Sequence, residues 1–400
     1  MKNKIAVLID LDDTLLGNDM DHFLPGYLHA LSKTIPDVPE KLMIKELMAG
    51  TKKMLMKTTA EYTLADVFNA HFYPGININK EELENKISRF YEEEFPKLKT
   101  LTTHKNEAVT IINTIHQTGH PIVVATNPLF PSAAQYHRLT WAGFPYPDGL
   151  FKDVTSFENY HFCKPNPEYY AEILFKHDFL NMPAVMIGNS LSDDILPAEK
   201  LGLSTYWITK DGKKHPDQGI LSAAGDLSGV PAWLEAIQDE ITAINWGQNL
   251  QQSIITLRVT PAVFDGFGMR YPSSILDDKP KPNEWCVKEI LQHLLDADTH
   301  LNLARVRKFF NELKPFIASL DLDALTNNNS EPTKEYQLVL SQFFAIRAEL
   351  INQITSATPE IISKQAVHTI FGPTTFGEII EFIAIHDRNH IQQSLNVLSK

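Results

Sequence analysis

The sequence predicts an α/β domain built on a doubly wound parallel sheet, followed by an all-α up-and-down four-helix bundle. Up to about residue 240, short apolar runs that end in polar residues alternate with helical patterns, as they do in doubly wound folds. Over residues 241–400 strand patterns vanish and long helical patterns replace them. The predicted domains are an α/β core over residues 1–17 and 101–240, a helical insertion over residues 18–100, and the bundle over residues 245–400.

The composition argues against several classes of protein. The 400 residues carry a formal net charge of -13, whereas proteins that bind nucleic acid or anionic membranes need a basic surface. The two cysteines, Cys163 and Cys286, fall in different predicted domains and imply no disulfide framework. The first apolar run ends in acids and suits neither a signal peptide nor a membrane-spanning helix. These observations predict a cytoplasmic protein without nucleic-acid or membrane partners.

Residues 5–9 form the first predicted strand, and acidic residues follow it directly. Asp10 and Asp12 are two positions apart, so their side chains point to the same side of an extended segment. Two adjacent carboxylates repel each other unless a cation lies between them. The segment therefore predicts a cation site at the carboxyl edge of the sheet, where open α/β sheets carry their chemistry. The alternative to a cation site is an ordinary Asp-rich turn after a core strand.

The insertion over residues 18–100 has apolar residues at three- and four-residue spacing. This spacing predicts helices over residues 42–57, 62–72 and 80–95. The insertion separates the first strand from the return to the sheet.

A second predicted strand also ends in polar residues. A helical pattern over residues 105–118 stops at Gly119, a common helix end, and an apolar strand pattern follows and closes on Thr126 and Asn127. A threonine at a strand end is by itself an ordinary cap or turn residue. Here Thr126 supports a functional site at the sheet edge, because the first predicted strand also ends in polar residues.

A lysine and a second acidic cluster complete the predicted site. Lys164 stands before two prolines, which are a usual way to begin a helix, and a lysine on such a rigid turn is suited to balance nearby negative charge. A strand over residues 184–188 is followed by Asn189, Asp193 and Asp194. The amide oxygen of Asn189 can bind magnesium, although more weakly than a carboxylate.

These four segments resemble, in the same order, the four motifs of the haloacid dehalogenase (HAD) superfamily, most members of which are magnesium-dependent phosphatases. The resemblance covers nearly all of residues 1–240 and implies that residues 18–100 are a helical cap of the C1 type, a lid that excludes water and selects substrate. The alternative is a set of helices that pack on the sheet without a lid role. It also implies that Asp10 is the nucleophile and Asp12 the acid/base. By the same resemblance, Thr126, Asn127 and Lys164 hold the substrate phosphate.

The resemblance further implies that magnesium binds Asp10, Asp12, Asn189 and Asp194. Asp194 fits the longer spacing of the fourth motif and Asp193 the shorter one, and we favour Asp194. Asn189 departs from the family pattern, which has an acid at this position. The departure removes one negative charge and predicts weaker magnesium binding.

Four helical patterns predict the bundle: residues 250–267, which Pro261 interrupts, and residues 284–313, 335–355 and 375–398. In the last of these, His386 and His390 continue the inward apolar stripe one turn apart. Two histidines at this offset can chelate a transition metal. The alternative is a pair of buried core histidines.

The bundle resembles the DinB-type family through residues 284–294, residues 371–373 and the pair His386 and His390. Members typically bind a divalent transition metal through three histidines, and some are thiol-dependent transferases or hydrolases. The resemblance implies a site formed by His293, His386 and His390 for zinc or nickel. The alternative is a non-catalytic bundle that forms a homodimer.

Together, the two halves predict a magnesium-dependent phosphatase that hydrolyses a small phosphorylated metabolite through an aspartyl-phosphate intermediate, with a metal-binding bundle at its C-terminus. Asp12 argues against a dehalogenase or phosphonate hydrolase, because those branches of the resembled family lack the second acid. Two alternatives stay open. One is a phosphometabolite sensor in which Asn189 binds magnesium too weakly for turnover, and the other is a thiol-dependent metalloenzyme activity in the bundle.

Overall fold

A computed structural model describes residues 3–147, 149–209, 213–216, 219–247, 249–318 and 335–399. The chain divides into two compact units. Unit 1 comprises Met1–Thr58, Tyr62–Tyr170 and Asn181–Ile244, and unit 2 comprises Thr59–Glu61, Ala171–Leu180 and Asn245–Lys400. Within the described ranges, every helix is too short or too polar to cross a membrane.

The strands of unit 1 are β1 (Ala6–Ile9), β2 (Leu16–Gly17), β3 (Thr103–His104), β4 (Ile122–Val124), β5 (Asp153–Val154), β6 (Ala184–Gly188), β7 (Ser204–Ile208) and β8 (Ser222–Gly225). Six of them form one parallel sheet in the order β5-β4-β1-β6-β7-β8. β1 is buried along its whole length, which explains its continuous apolar sequence. The chain adds strands on one side of β1 and then on the other, so the predicted doubly wound sheet is confirmed and its switch point lies beside β1.

The helices up to residue 244 are α1 (Met20–Thr34), α2 (Glu40–Leu55), α3 (Leu64–Ile76), α4 (Lys80–Arg89), α5 (Asn106–Gln117), α6 (Ser132–Trp141), α7 (Pro167–Lys176), α8 (Leu196–Leu201) and α9 (Val230–Ile237). All of them belong to unit 1 except the part of α7 from Ala171 onward, which belongs to unit 2. The first four lie in the insertion, and α2, α3 and α4 correspond to the three predicted helices. Short β2 and β3 pair with each other in antiparallel register at the two ends of the insertion.

Helix α1 was not predicted, because Pro25 and Gly26 are poor helix formers. A side-chain cap stabilises the start of α1, where the Asp19 side chain accepts a hydrogen bond from the Asp21 N–H at 3.0 Å. Packing also stabilises the helix, since Phe23 and Tyr27 of α1 belong to the same buried cluster as the strand residues of β1. The insertion and the sheet therefore share one continuous apolar core, and the lid role stays a prediction.

The helices of unit 2 are α10 (Leu250–Arg270), α11 (Ser273–Leu276), α12 (Val287–Ala297), α13 (Leu303–Asn311), α14 (Tyr336–Thr355), α15 (Pro359–Ile362) and α16 (Phe376–Leu398). A π-helical turn, Asp298–Asn302, joins α12 to α13. The predicted helical bundle is confirmed. Its helix order differs from the up-and-down arrangement, because α10 and α12 each pack mainly against α14 and α16 rather than against each other, as successive helices of an up-and-down bundle do.

The expectation that strands vanish after residue 241 is wrong. Unit 2 contains β9 (Phe316–Ile317), β10 (Gln365–His368) and β11 (Gly372–Thr375), which form a three-stranded sheet in the order β11-β10-β9. β10 and β11 pair in antiparallel register, and Gly372 at the turn between them has a φ of +73°, which glycine adopts without strain. Strands of two to four residues are too short to leave a recognisable alternating pattern in the sequence.

Helix α10 continues through Pro261. Proline lacks the N–H that would donate to the carbonyl four residues earlier, which is that of Leu257. In the structure this carbonyl accepts a hydrogen bond from Arg347 Nη1 at 3.1 Å. A side chain from α14 thus satisfies the acceptor that the proline leaves open, and the helix is not broken.

Candidate functional site

Three charged side chains meet at the carboxyl ends of β1 and β6. Lys164 Nζ donates to Asp10 Oδ1 at 2.8 Å and to Asp194 Oδ1 at 2.6 Å. Asp10 directly follows β1, and its backbone N–H donates to the Ile187 carbonyl of β6 at 2.9 Å. All three charged side chains are buried, so solvent screens their interactions little. We call Asp10, Lys164 and Asp194 the acidic triad.

The acidic triad contains one more carboxylate than ammonium. Burial lowers the pKa of Lys164, but Asp10 and Asp194 outweigh burial and hold this pKa well above its ordinary value. Burial raises the pKa of Asp194, Lys164 opposes this change, and the charge of Asp10 adds to it. The excess of negative charge indicates a site that can accommodate a further cation.

Asp194 reaches the acidic triad because the chain turns tightly after β6. A Cβ atom at Gly188 would lie 2.5 Å from Asp194 Cγ, so only glycine leaves room for this carboxylate. The Ser190 N–H donates to Asp194 Oδ2 at 2.9 Å, whereas the Ser190 hydroxyl pairs with the backbone and side chain of Asp193 at 3.1 Å. The geometry therefore directs Asp194, rather than Asp193, toward Lys164 and Asp10.

Asn189 lies at the end of β6. Its side-chain Oδ1 accepts from Thr14 Oγ1 at 3.4 Å, and its backbone carbonyl accepts from Trp207 Nε1 at 2.9 Å. The first contact holds the side-chain amide against the segment that follows Asp12, and the second fixes the backbone of Asn189 against β7. The amide oxygen thus lies at the same edge of the sheet as the acidic triad, and its role as a metal ligand stays a prediction.

Thr126 and Asn127 follow β4, the neighbour of β1 on its other side. A backbone hydrogen bond of 2.7 Å from the Ala125 N–H to the Ile9 carbonyl aligns the two strand ends. The Thr126 carbonyl accepts from Tyr169 Oη at 2.8 Å, which holds the segment in place. Asn127 Oδ1 is buried and has no hydrogen-bond partner among the described residues.

Asp12 has a partner on each carboxylate oxygen. Asn18 Nδ2 donates to Oδ1 at 2.8 Å, and Arg138 Nη2 donates to Oδ2. Neither partner was predicted from the sequence. The available signal was an arginine on the apolar face of α6 between Ala134 and Leu139, since buried arginines are rare unless they are paired.

The predicted site residues of the core all follow the carboxyl ends of β1, β4 and β6 or precede α7, and three of them are joined by hydrogen bonds through Lys164. Their roles in catalysis stay predictions. The residues are Asp10, Asp12, Thr126, Asn127, Lys164, Asn189 and Asp194.

In unit 2, the three predicted histidines converge. His293 Nε2 of α12 lies 3.0 Å from His386 Nε2 of α16, and His390 Nε2 lies 3.2 Å from the same atom. The three ligand atoms all lie within 4.8 Å of one another. Burial and the neighbouring His390 lower the pKa of His386 to about 4. The side chain of Gln393 fixes the ring of His390 through Nδ1 at 2.9 Å.

One buried arginine joins α14 to α10, to α16 and to the π-helical turn between α12 and α13. Arg347 of α14 donates from Nε to Asp298 Oδ2 at 2.6 Å and from Nη2 to Asp387 Oδ1 at 3.1 Å. It also donates to the Leu257 carbonyl of α10. All three charged side chains are at most 1 % exposed. Asp387 directly follows His386, so this network holds the helix that carries two of the three histidines.

Comparison with known families agrees with both halves of the fold. The model of haloacid dehalogenase-like hydrolases matches residues 7–208, which is half of the chain. The model of the DinB superfamily matches residues 256–394. The first matched segment contains the acidic triad, and the second contains the three histidines.

Individual relatives match the first half of the chain. YfnB of Bacillus subtilis, named as a HAD-hydrolase, is 28% identical over 223 residues, which are 54% of this chain and 88% of that protein. A phosphoglycolate phosphatase of Vibrio cholerae is 24% identical over 212 residues, which are 52% of this chain and 86% of that protein. The solved structure of a HAD phosphatase from Thermococcus onnurineus covers 58% of this chain and 99% of its own, with 17% identity and a TM-score of 0.38. Because the family model matches half of the chain, the chain belongs to the family of haloacid dehalogenase-like hydrolases, and it carries a DinB-like domain over residues 256–394.

Proposed function

We propose that unit 1 is a magnesium-dependent phosphatase that hydrolyses a small phosphorylated metabolite. The observation that carries this proposal is the acidic triad, in which one buried lysine bridges two carboxylates at the switch point of the sheet. Phosphoryl transfer needs an oxygen nucleophile, fixed positive charge and a proton donor for the leaving group. The site offers Asp10 for the first, Lys164 for the second and Asp12 for the third.

In the first step, a carboxylate oxygen of Asp10 attacks phosphorus while the bond from phosphorus to the leaving oxygen breaks, and Asp12 gives its proton to that oxygen. In the second step, water attacks the aspartyl-phosphate, Asp12 takes a proton from the water, and the bond between Asp10 and phosphorus breaks. Thr126, Asn127 and Lys164 hold the phosphoryl oxygens throughout.

The donor set at the triad fits magnesium, which prefers oxygen ligands. The carboxylates of Asp10 and Asp194, the amide oxygen of Asn189 and the backbone carbonyl of Asp12 would hold the ion. When bound, magnesium neutralises phosphate charge. The tight turn at Gly188, which leaves room for Asp194 alone, supports this ligand assignment.

A panel of phosphomonoesters, assayed with the full chain, tests the proposal. We expect turnover of at least one ester at millimolar magnesium and loss of that turnover when a chelator removes the metal. Phosphoglycolate belongs in the panel, because one relative is named as its phosphatase, alongside sugar phosphates and nucleotides. Binding of esters without any turnover at millimolar magnesium would instead favour the phosphometabolite sensor.

Asp193 and Asp194 provide a matched pair of variants that tests which carboxylate binds magnesium. In Asp194→Asn we expect the magnesium concentration for half-saturation to rise by at least about tenfold, because one charged ligand is lost. In Asp193→Asn we expect a change below about twofold, since this side chain pairs with Ser190 rather than with Lys164. Calorimetric titration with magnesium and the magnesium dependence of turnover should both show these changes in the concentration for half-saturation. Equal effects of the two substitutions would contradict the assignment of Asp194.

For unit 2 we propose a transition-metal site formed by His293, His386 and His390. In tetrahedral coordination with metal–nitrogen bonds of about 2.0 to 2.1 Å, ligand nitrogens lie about 3.3 Å apart, close to the separations of 3.0 and 3.2 Å in the structure. Nitrogen ligands favour zinc or nickel over magnesium. Three ligands leave a position for water or a thiolate, which also suits a thiol-dependent metalloenzyme.

Metal analysis of the full chain tests this site. After loading with zinc or nickel and washing with excess magnesium, we expect about one retained equivalent in the wild type. The double substitution His386→Ala with His390→Ala should lose it, whereas His300→Ala, which removes an exposed histidine near the end of α12, should keep it. Absence of retained metal in the wild type, or equal content in the double variant, would favour the non-catalytic homodimer.

The proposed partner of unit 1 is a small phosphorylated metabolite and not a nucleic acid or a membrane. The formal net charge of -13 supports this, because both of the excluded partners are polyanions that a basic surface attracts. Lys164 and Arg138, in contrast, are buried cations within the site, where they suit one small anion.

A further inference from the structure

Two neighbouring tyrosines of α7, Tyr169 and Tyr170, contact the strand ends on either side of Asp10. Tyr169 Oη donates to the Thr126 carbonyl at 2.8 Å, and Tyr170 Oη donates to the Asp193 carbonyl. Thr126 follows β4 and Asp193 follows β6, and β1, which Asp10 follows, lies between these two strands in the sheet. The two hydroxyls therefore hold backbone groups on both sides of the proposed nucleophile.

The start of α7 supports three segments of the site. Adjacent residues of an α-helix point about 100° apart, so Tyr169 and Tyr170 reach different strand ends from one helix. The same helix begins three residues after Lys164. Hydrogen bonds of 3.0 Å from the Asn166 N–H to the Cys163 carbonyl and from the Tyr169 N–H to the Asn166 carbonyl fix the backbone between Lys164 and the tyrosines.

Tyr170 supplies a donor at a position where a proline lacks one. Asp193 lies four residues before Pro197 of α8, and a proline has no N–H to donate to the carbonyl four residues earlier. The Tyr170 hydroxyl donates to this carbonyl. The carbonyl of Asp193 and the N–H of Asp194 belong to one planar peptide group. The contact thus fixes the backbone from which the Asp194 carboxylate reaches Lys164.

Tyr169 shares its acceptor with a second hydroxyl. Thr155, which follows β5, also donates to the Thr126 carbonyl, and its Oγ1 lies 3.0 Å from Tyr169 Oη. In a trans peptide the carbonyl and the following N–H point in opposite directions. By holding the carbonyl of Thr126, the two hydroxyls direct the N–H of Asn127 away from themselves. Both proposed phosphate ligands of this segment therefore depend on the orientation of one peptide group.

The hydroxyl contacts are buried. Tyr169, Tyr170 and Thr155 are each 0 % exposed. Burial raises the pKa of both tyrosine hydroxyls well above their ordinary value, so both remain protonated donors at neutral pH. A buried carbonyl that loses its donor carries a desolvation cost that no water molecule relieves. The two contacts are therefore suited to hold the orientation of each peptide group.

On the basis of the proposed phosphatase function, we infer that Tyr169 and Tyr170 are positioning residues with separate tasks. Tyr169 orients the peptide group after Thr126 for the phosphoryl group. Tyr170 orients the peptide group before Asp194 for magnesium. Each tyrosine acts through the backbone, in the way that outer partners of a metal site orient its direct ligands.

The test removes one hydroxyl at a time and measures two affinities of the full chain by calorimetry. One titration uses magnesium alone, and the other uses inorganic phosphate at saturating magnesium. In Tyr170→Phe we expect the Kd of magnesium to rise about tenfold and that of phosphate to change less than about twofold. In Tyr169→Phe we expect the Kd of phosphate to rise about three- to tenfold and that of magnesium to change less than about twofold.

A second variant and a matched control accompany these substitutions. Tyr169→Phe combined with Thr155→Val removes both hydroxyl donors of the Thr126 carbonyl and should raise the Kd of phosphate by at least about tenfold. Tyr206→Phe is the control, because Tyr206 of β7 is buried and its Oη donates to the Asp226 carbonyl at 3.1 Å. This control removes the same kind of bond outside the site, and both Kd values should stay within about twofold of the wild type.

The pattern of the two affinities decides the inference. Equal changes of both Kd values in Tyr169→Phe and in Tyr170→Phe would overturn it, because the hydroxyls would then only stabilise the fold. Failure of either variant to fold, or affinities equal to those of Tyr206→Phe, would overturn it as well. Neither titration requires turnover. Absence of turnover on every ester would therefore contradict the phosphatase proposal alone, whereas a wild type that binds neither magnesium nor phosphate would overturn both.

Discussion

Asp10→Asn is expected to lower kcat for phosphomonoester hydrolysis by at least about 10,000-fold, because an amide cannot act as the nucleophile that accepts the phosphoryl group. The substitution keeps the size of the side chain and its place after β1. Folding should be little changed, although Lys164 loses one of its two carboxylate partners. The measurement is steady-state turnover of the best ester from the panel, together with phosphate incorporation in acid-quenched enzyme.

Asp13→Asn is the matched control for this prediction. Asp13 lies three residues after Asp10, is exposed, and has a φ of +56°, a conformation that asparagine adopts as readily as aspartate. We expect activity within about threefold of the wild type, since the side-chain oxygen of asparagine can still accept the hydrogen bond of 3.0 Å that the Asn18 N–H donates to Asp13 Oδ1. Activity of Asp10→Asn equal to that of Asp13→Asn would show that Asp10 is not the nucleophile.

Arg347→Met is expected to destabilise the bundle by about 3–5 kcal/mol, the usual cost of removing one partner from a buried ion pair. Asp298 and Asp387 would both remain buried without their cation, and the Leu257 carbonyl opposite Pro261 would lose its donor. Because the chain has two units, native-state hydrogen exchange of the full chain is the suitable measurement. Peptides from α14 and α16 should exchange faster, while those from β1 and β6 serve as an internal reference.

The control is Arg307→Met. Arg307 pairs with Glu349, and the two side chains are 50% and 52% exposed, so this pair should contribute less than about 1 kcal/mol. The same chemical change is thus made at a buried and at an exposed arginine of unit 2. Similar exchange in the two variants would mean that the buried network does not stabilise the bundle.

Much of unit 1 could be predicted from local sequence. Strands buried on both faces must be apolar throughout, and polar residues that follow them must lie at a sheet edge. This is why the sequence alone places Asp10, Thr126 and Asn189 at adjacent strand ends. The direct contacts of Lys164 with two carboxylates follow from the same topology, because its loop returns to the edge where β1 and β6 end.

Other features depend on tertiary contacts that no local pattern encodes. The ion pair of Arg138 with Asp12 joins residues 126 positions apart, and the sequence shows only an arginine on an apolar helix face. The helix order of the bundle is set by which faces pack together, and helical periodicity does not specify it. The convergence of His293 with His386 and His390 followed from the family resemblance, since their spacing along the chain alone places only two of them on one face.

The paired strands β2 and β3 bring the start and the end of the helical insertion side by side. A Cβ atom at Gly17 would lie 3.1 Å from Thr103, so the two segments touch closely, and Lys105 Nζ donates to the Thr14 carbonyl at 3.1 Å just beyond them. The entropy of closing a loop grows only with the logarithm of its length, and here the pairing of β2 with β3 closes it. The pairing therefore fixes the points at which the insertion leaves and rejoins the sheet, whatever the length of chain between them.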